Sequence, residues 1–268
     1  MSSELKAIQT IPTPRTRTSL AADLARLGLR AGMTVMVHSS LSALGWVCGG
    51  AVAVVQALMD VVTPEGTLVM PTHSGEYSDP SYWGNPPVPE DWWPVIRETM
   101  PLFDPALTQS RGMGRIPEVF RTVPGALRSR HPALSFAAWG RHAEFVTAGH
   151  TLAFSLGEGS PLARVYDLDG WVLLLGVGHR NNTSLHLAEY RAPGRPRTVQ
   201  GAPWLVDGRR VWQAYEDVDL DAEVFGDLGA DYERLHPVTT GLVGSAETRL
   251  LRQRPIVDFA VEWLTAKA

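Results

Sequence analysis

The apolar run Trp171-Val-Leu-Leu-Leu-Gly-Val177 limits the fold of this chain more than any other feature. Because the run has no polar face, both of its sides must be covered, as in a central strand of a sheet that has helices on both faces. It is far shorter than the roughly 18 apolar residues that a membrane-spanning helix needs. A glycine turn and a helix predicted at Thr183 to Tyr190 follow it. The pattern therefore indicates an α/β protein.

A βαβ unit is predicted near the start of the chain. Apolar residues at helical spacing predict one helix over residues 19 to 27 and a second across residues 52 to 62. Strands are predicted at Met33 to Val37 and at Thr67 to Met70. Such a unit favours a parallel sheet and places ligand-binding groups at the carboxyl ends of its strands. The polar turn His38-Ser39-Ser40 follows the first strand at such an end.

The rest of the chain continues the alternation of helices and strands. The Asp207-Gly208 pair predicts a β-hairpin over residues 205 to 212, because Asp-Gly adopts the positive φ angles of a type I′ turn. Other predicted elements are a strand at Ser135 to Trp139 and helices at Arg115 to Thr122, Ala143 to Ala148, from Ser160 onward, Ala246 to Gln253 and Ile256 to Ala266. We expect an α/β fold with a mostly parallel central sheet, flanking helices and an added antiparallel hairpin, in a single domain over residues 1–268.

Residues 74–110, here called the flap, differ from their surroundings in composition. Prolines and aromatic residues are concentrated there. Long loops inside compact domains are usually functional or disordered, and a high aromatic content argues against disorder. We therefore expect an ordered and functional segment.

Composition excludes several kinds of partner. The formal net charge of −4 gives no general field that would attract nucleic acid or an anionic membrane surface. The one cysteine, Cys48, excludes an intrachain disulfide, and the first residues lack the apolar core of a secretory signal. We expect a cytoplasmic protein without nucleic-acid or membrane partners, for which a homo-oligomer stays open.

The strongest candidate for chemistry follows the buried strand, in the segment His186-Leu-Ala-Glu189. Glu189 is three residues after His186 on the same helix face, where its carboxylate can accept one imidazole N–H. The other ring nitrogen is then free to act as a base. The alternative is a capped helix with a half-buried histidine, and spacing does not decide between the two.

Motifs of other enzyme classes are missing from the sequence. It has no His-Glu-x-x-His, and Tyr190 stands where an inverted zinc motif needs a second histidine, so no metal is expected. It has no Gly-x-Ser-x-Gly, and Cys48 has the pattern of a packed small residue, which disfavours covalent catalysis. Neither a P-loop nor Gly-x-Gly-x-x-Gly occurs, which argues against nucleoside triphosphates and dinucleotides.

Charge is distributed unevenly along the chain. Five arginines and one acid lie between Arg111 and Arg130, whereas residues 216 to 233 hold eight acids and no base. Both segments are open to interpretation as solvated helix faces. Taken with a polar strand end and a candidate base, they fit an enzyme that joins a phosphorylated donor to a cationic acceptor.

Several longer stretches stand out between residues 20 and 265. They are Val37-His-Ser-Ser-Leu41, Gly66-Thr-Leu-Val-Met-Pro71, Arg111-Gly-Met-Gly-Arg-Ile116, Arg128-Ser-Arg-His-Pro132 with Ser135-Phe-Ala-Ala138, and Leu174 to Glu189. Together they resemble the aminoglycoside 3-N-acetyltransferase family of antibiotic acetyltransferases. The resemblance implies an antibiotic N-acetyltransferase-like α/β fold, acetyl-CoA as donor, and acetylation of the 3-amino group of an aminoglycoside, which confers antibiotic resistance.

The resemblance also implies roles for single residues. The histidine of the family's Asn-Thr-x-Leu-His-Leu-Ala-Glu motif is the base, which corresponds to His186, with Glu189 and Asn182 as orienting residues. His179 stands where the family often has an aromatic residue and is not the base. The residues expected at coenzyme A, with the arginine-rich segment included, are His38, Ser39, Ser40, Leu41, Arg115, Ser129, Ser135 and Phe136.

The acidic segment favours a polycationic acceptor. We expect the flap and residues 198–235 to form its site, with carboxylates from Glu76, Asp79, Glu216, Asp217 and Asp219. The expected reaction is a direct transfer in which a histidine base deprotonates the attacking amine. Two alternatives stay open, an acetyltransferase for another kind of amine and a nonenzymatic protein that binds coenzyme A or a small molecule. Release of free thiol distinguishes an enzyme from a binding protein.

Overall fold

The computed structural model describes residues 8–9 and 11–267. Its strands are β1 (Thr34–Ser39), β2 (Thr67–Pro71), β3 (Leu127–Arg128), β4 (Phe136–Gly140), β5 (Trp171–Leu175), β6 (Arg197–Val206), β7 (Arg209–Val218), β8 (Thr239–Val243) and β9 (Ala246–Arg252). Seven of them form one sheet in the order β3-β4-β2-β1-β5-β9-β8. The remaining two, β6 and β7, form a separate antiparallel pair.

Helices cover both faces of the main sheet. They are α1 (Arg17–Leu27), α2 (Gly50–Val62), α3 (Trp93–Thr99), α4 (Arg115–Phe120), α5 (Ala143–Thr147), α6 (Pro161–Asp167), α7 (His186–Arg191), α8 (Phe225–Leu235) and α9 (Gln253–Ala266). Apolar residues of α1, α2 and α4 form the first core, on one face. Apolar residues of α5 to α9 form the second core, on the other face.

The alternation of side chains along each strand explains why both cores draw on the same strands. In β5, Leu173 and Leu175 pack in the first core, and Val172 and Leu174 pack in the second. Successive side chains of a strand point to opposite faces, so a strand covered on both sides is apolar throughout. The prediction of a doubly covered central strand is confirmed.

Parallel pairing is found at the centre of the sheet, where β1 lies between β2 and β5 and is parallel to both. The outer strands β4, β3, β9 and β8 are joined by antiparallel pairings. The predicted α/β class with flanking helices and an added hairpin is confirmed. The sheet as a whole is mixed, because the βαβ pattern in the sequence describes only its centre.

The helix predicted at Ala246 to Gln253 is wrong. Residues Ala246–Arg252 form strand β9, which pairs with β5 on one side and β8 on the other, and the helix begins at Gln253. The sequence Ala-Glu-Thr-Arg-Leu-Leu-Arg has good intrinsic helix propensity, but pairing on both edges outweighs that preference. Gly244, with a φ of 60°, makes the turn that leads from β8 into β9.

The flap and the hairpin are joined to each other. The Tyr82 hydroxyl lies 2.7 Å from Thr198 Oγ1 in β6. From β7, the Arg210 guanidinium donates to the carbonyl oxygens of Arg97 (2.6 Å) and Met100 (2.9 Å). The hairpin strands are ten residues long each, well beyond the eight residues predicted around the turn. Helix α3 of the flap had no signal in its proline-rich sequence.

Candidate functional site

Three histidines lie at or beyond the carboxyl ends of the three parallel strands. His38 is the fifth residue of β1, His73 follows β2, and His186 begins α7, which comes after β5. His38 follows Met36 by two residues and so points to the second-core face, where His73 packs edge-on against Phe136 at 5.2 Å between ring centroids. Ligands of open α/β sheets bind at this edge.

Glu189 holds the ring of His186 in a fixed orientation. His186 Nδ1 lies 2.6 Å from Glu189 Oε2, and Phe225 packs edge-on against the imidazole at 4.8 Å. A carboxylate only accepts hydrogen bonds, so Nδ1 carries a proton, and in the neutral imidazole the lone pair is on Nε2. The histidine side chain is 16% exposed, whereas Glu189 is completely buried. The arrangement gives a base whose free nitrogen is directed away from its partner.

Long-range contacts hold Glu189 in turn. Its Oε1 accepts from the Arg195 guanidinium at 2.9 Å and from the backbone N–H of Asp221 at 2.8 Å. Arg195 was not among the residues predicted from the sequence. The turn Pro193-Gly-Arg-Pro196, just after α7, was the one available signal that the chain folds back toward the helix.

Asn182 supports the turn before the base rather than the base itself. Its Oδ1 accepts from the backbone N–H of Ser184 at 3.3 Å and caps the 3₁₀ turn Thr183–Leu185, after which His186 begins the α-helix. The Asn182 side chain is fully buried, and its Nδ2 has no hydrogen-bond partner in the described part of the chain. The orienting role expected for Asn182 is thus indirect in this geometry.

His38 and His73 are neutral neighbours of the base. Burial lowers the pKa of His38 to about 3, and the nearby charge of His186 lowers it in the same direction. Burial also lowers the pKa of His73 to about 3, again with a contribution from the charge of His186. In both rings Nε2 is buried without a hydrogen-bond partner among the described residues. Both imidazoles are therefore uncharged near neutral pH.

A cleft of about 850 Å³ opens beside the end of β1 on the first-core side. Its lining includes Ser39, Ser40, Leu41, Gly49, Gly50, Arg115, Val177 and Asn181. The volume is within the usual range for small-molecule and cofactor sites. Ser39 Oγ is buried without a partner in residues 8–9 and 11–267. The structure thus brings together four of the residues expected at coenzyme A, Ser39, Ser40, Leu41 and Arg115.

The other expected coenzyme A residues do not line this cleft. Ser129, Ser135 and Phe136 are fully buried. Ser129 Oγ bonds to His150 Nδ1 and to the backbone N–H of Phe136, both at 2.9 Å, and Ser135 Oγ donates to the Thr72 carbonyl at 2.9 Å. These side chains join strands and present no surface to a ligand, so we do not retain them as coenzyme A contacts. His38 belongs to the opposite face of the sheet.

Most of the carboxylates expected at the acceptor already have partners. Asp79 accepts two hydrogen bonds from Arg97, at 2.8 and 3.0 Å, and Glu216 pairs with Arg197 at 2.7 Å. Asp217 is buried and accepts from the hydroxyls of Ser155 and Tyr190. We do not retain these three as acceptor contacts, because Asp79 and Glu216 are paired with arginines and Asp217 is buried with its oxygens hydrogen-bonded inside the chain.

Two expected carboxylates are still available. Glu76 has its Oε2 buried without a hydrogen-bond partner in the described residues. Asp219 is exposed and lies just after the hairpin, where its backbone N–H donates to Pro196, the neighbour of Arg195. Asp219 is therefore near both groups that hold Glu189, because it is two residues before Asp221 and its backbone is bonded to the residue after Arg195. These two acids are the best placed of the five for a cationic ligand.

Neither a metal-binding cluster of side chains nor a membrane-crossing helix is found in the described residues. Within residues 8–9 and 11–267, no group of three or more His, Cys, Asp or Glu side chains is arranged to hold a metal ion. Within the same ranges, no helix has the length and apolar character required to cross a bilayer.

Comparisons with known proteins agree on one family. Residues 36–265 match the family model described as aminoglycoside 3-N-acetyltransferase. A prophage-derived aminoglycoside N(3′)-acetyltransferase-like protein of Bacillus subtilis strain 168 is 51% identical, over 96% of this chain and 95% of its own. The crystal structure of the Bacillus subtilis protein, which is named YokD, superposes on this chain with a TM-score of 0.95, at 50% identity and 97% coverage of both chains.

Two further similar structures were solved with ligands bound. The binary complex of AAC-IIIb with CoASH is 35% identical, with a TM-score of 0.85, and the match covers 95% of this chain and 98% of that one. AAC-VIa bound to sisomicin is 34% identical, with a TM-score of 0.85, and the match covers 95% and 99%. The antibiotic N-acetyltransferase-like fold predicted from the sequence is thereby confirmed.

Proposed function

This chain belongs to the aminoglycoside 3-N-acetyltransferase family, and from that premise we propose that it transfers the acetyl group of acetyl-CoA directly to the 3-amino group of an aminoglycoside. One observation carries the proposal. A histidine oriented by a buried carboxylate stands at the same sheet edge as a cleft large enough for part of a coenzyme. Relatives described as bound to CoASH and to sisomicin support the two classes of substrate.

His186 is the proposed general base. An ammonium group is not a nucleophile, so the acceptor first loses one proton to solvent and reacts as the neutral amine. A second proton must leave the nitrogen as it attacks the thioester carbonyl. His186 Nε2 takes that proton while Nδ1 stays bonded to Glu189. A new N–C bond forms, the C–S bond breaks, and its electron pair leaves with the sulfur. The proton on His186 is then passed to the departing thiolate, which returns the base to its neutral form.

Glu189 and Arg195 are the proposed positioning residues of this step. The carboxylate stabilises the imidazolium that forms when His186 accepts the proton, and Arg195 and the Asp221 N–H keep the carboxylate in place. No covalent bond between substrate and protein is needed. His186, Glu189 and Arg195 supply proton transfer, orientation and stabilisation of the imidazolium.

The cleft fits coenzyme A by its chemistry as well as its volume. The partnerless Ser39 hydroxyl offers a hydrogen bond, and exposed Arg115 offers a cation for a phosphate. We propose that Ser39, Ser40, Leu41 and Arg115 contact the coenzyme there.

Replacing Arg115 by alanine is expected to raise the KM for acetyl-CoA about 10-fold, with little change in the KM for the acceptor, because a charge-assisted phosphate contact is lost. Arg111→Ala is the matched control, since Arg111 precedes the same glycine turn but does not line the cleft. Calorimetric titration of coenzyme A into both variants checks the assignment. Equal losses in the two variants would contradict it.

The acceptor is proposed to bind between the flap and the segment after the hairpin, with Glu76 and Asp219 as carboxylate contacts. Glu76→Gln combined with Asp219→Asn is expected to raise the acceptor KM several-fold, leave acetyl-CoA binding unchanged and flatten the rise of KM with added salt. Glu90→Gln, another acid of the flap, is the control. An acceptor KM that responds to neither substitution nor salt would favour an uncharged amine as acceptor.

A panel of aminoglycosides assayed with acetyl-CoA tests the function as a whole. We expect free thiol to appear with at least one member, and mass spectrometry of the product to locate one acetyl group on the 3-amino nitrogen. Turnover with other amines only would support an acetyltransferase of different substrate class. Binding of coenzyme A without thiol release under any condition would support a nonenzymatic binding protein.

A further inference from the structure

The end of β1 divides the site into two sides. Val35 and Val37 pack in the first core and Met36 packs in the second, so the next residues continue that alternation. Ser39 therefore faces the first-core side, and it lines the cleft. His38 faces the second-core side, on which His186 packs against Phe225. The charge of His186 acts on His38, so the two rings are neighbours, and a thioester extended from the cleft toward His186 would lie at the strand end that carries His38.

His38 has an unused polar atom at that position. The residue is 5% exposed, and its Nε2 is buried with no hydrogen-bond partner in residues 8–9 and 11–267. Buried polar groups in native proteins are nearly always satisfied, and those that are not call for an explanation such as a ligand. Ser39 Oγ, on the next residue, is likewise without a partner in these ranges. Two neighbouring side chains at the strand end thus present unsatisfied polar atoms, one to each face.

We infer that His38 donates a hydrogen bond from Nε2 to the acetyl carbonyl oxygen of the bound thioester and stabilises the negative charge that this oxygen acquires during transfer. The inference rests on the proposed acetyl transfer and adds a residue that touches the reacting atoms. It also makes the role expected of His38 more specific, from a contact to coenzyme A to a contact at the acyl end.

The chemistry suits a neutral imidazole. When the amine nitrogen forms its bond to the carbonyl carbon, the π electrons of the C=O bond move to oxygen. When the C–S bond breaks, they return and the oxygen is again neutral. A donor at this place must polarise the oxygen without transferring a proton to it, and a neutral N–H does so. Burial keeps His38 in that uncharged form near neutral pH.

His73 is the rival for this role, since its Nε2 is also buried and without a partner among the described residues. His73 follows β2 and begins the approach to the flap, next to the segment proposed for the acceptor. His38, in contrast, belongs to the strand whose next residue lines the cleft. The cleft proposed for acetyl-CoA is therefore nearer in the chain to His38 than to His73, and the hydrogen bond to the thioester oxygen is assigned to His38.

Infrared difference spectroscopy tests the inference on the bound thioester before any reaction. Acetyl-CoA labelled with ¹³C at the carbonyl is bound to the wild-type enzyme without acceptor. We expect its carbonyl band at lower frequency than in free acetyl-CoA, a shift that His38→Phe abolishes and His73→Phe preserves. An unshifted band in the wild-type enzyme, or a shift that His73→Phe abolishes and His38→Phe preserves, would overturn the inference.

Kinetics give an independent readout. Loss of one such donor lowers kcat by roughly 100-fold or more, so His38→Phe is expected to show that loss with little change in coenzyme A affinity by calorimetry. His38→Gln, whose amide can still donate, should recover part of kcat and part of the band shift. If the phenylalanine variant does not fold by circular dichroism, the smaller His38→Leu replaces it in both measurements. A folded donor-free variant with unchanged kcat would overturn the assignment.

Failure of this inference is distinct from failure of the proposed function. Thiol release by the wild-type enzyme with an aminoglycoside reports on the function alone. A wild-type enzyme that turns over normally but shows no dependence on His38 refutes only the role of His38.

Discussion

Alanine at position 186 is expected to lower kcat at least about 100-fold while leaving the affinity for coenzyme A nearly unchanged, because a positioned base contributes about 10² to 10⁴ in rate. His186 contacts Glu189 and Phe225 but does not line the cleft, so the loss should fall on the chemical step. Steady-state rates and calorimetric titration of coenzyme A separate the two effects.

Two further variants provide comparisons for the result with His186→Ala. Glu189→Gln should lower kcat by less, since an amide oxygen can still accept the Nδ1 hydrogen bond but carries no charge to stabilise the imidazolium. His142→Ala, at the start of α5 and away from the three-histidine edge, is a control that should leave kcat unchanged. A folded His186→Ala enzyme with nearly normal kcat would exclude His186 as the base.

Acidification from pH 7 to pH 5 is expected to destabilise the protein by about 2 kcal/mol for each buried histidine whose pKa in the folded state lies below 5. The pKa values of His38 and His73 are lowered to about 3 and that of His150 to about 4, and the pKa of His131 is also lowered well below its usual value, in each case mainly by burial. Below pH 6.5 the unfolded chain binds protons that the folded chain does not. The stability is therefore complete above pH 6.5 and is lost as the pH falls toward the lowered values.

Urea unfolding between pH 4.5 and pH 8 measures this effect. The carboxyl groups of glutamate and aspartate in unfolded chains have pKa values of about 4, so the stability change between pH 7 and pH 5 reports chiefly on histidine. His73→Phe, which removes one of the buried histidines, should reduce the loss of unfolding free energy between pH 7 and pH 5 by about 2 kcal/mol. A flat profile between pH 7 and pH 5 would show that the buried histidines gain protons without cost in the folded state.

Local sequence patterns were enough to predict the centre of the fold. The βαβ unit, the doubly covered strand β5 and the Asp207-Gly208 turn each depend on residues close in the chain, so periodicity and turn chemistry reveal them. Strand β9 was mistaken for a helix because its pairing partners, β5 and β8, are not visible in its own seven residues. Intrinsic propensity gives the wrong answer where tertiary pairing decides.

The same distinction between local and long-range contacts explains which contacts of the candidate site could be predicted from the sequence. The His186–Glu189 contact is set by helix geometry three residues apart, which spacing predicts. Arg195 and the Asp221 N–H reach Glu189 through loop paths that no periodic pattern encodes. The stretch around Ser129 and Ser135 is part of the family resemblance, yet its side chains serve strand pairing at the sheet edge. Motif membership by itself does not separate structural from ligand-binding residues.

The separation of the β6–β7 pair from the main sheet has a consequence for how such a chain can diversify. The hairpin is fastened to the flap through Tyr82 and Arg210, and Asp217 of β7 joins it to Tyr190 in α7, the helix that His186 begins. A change that moves Asp217 is therefore transmitted to the helix of His186. Changes at the far end of the hairpin, at the exposed Asp207-Gly208 turn, can accumulate without that effect.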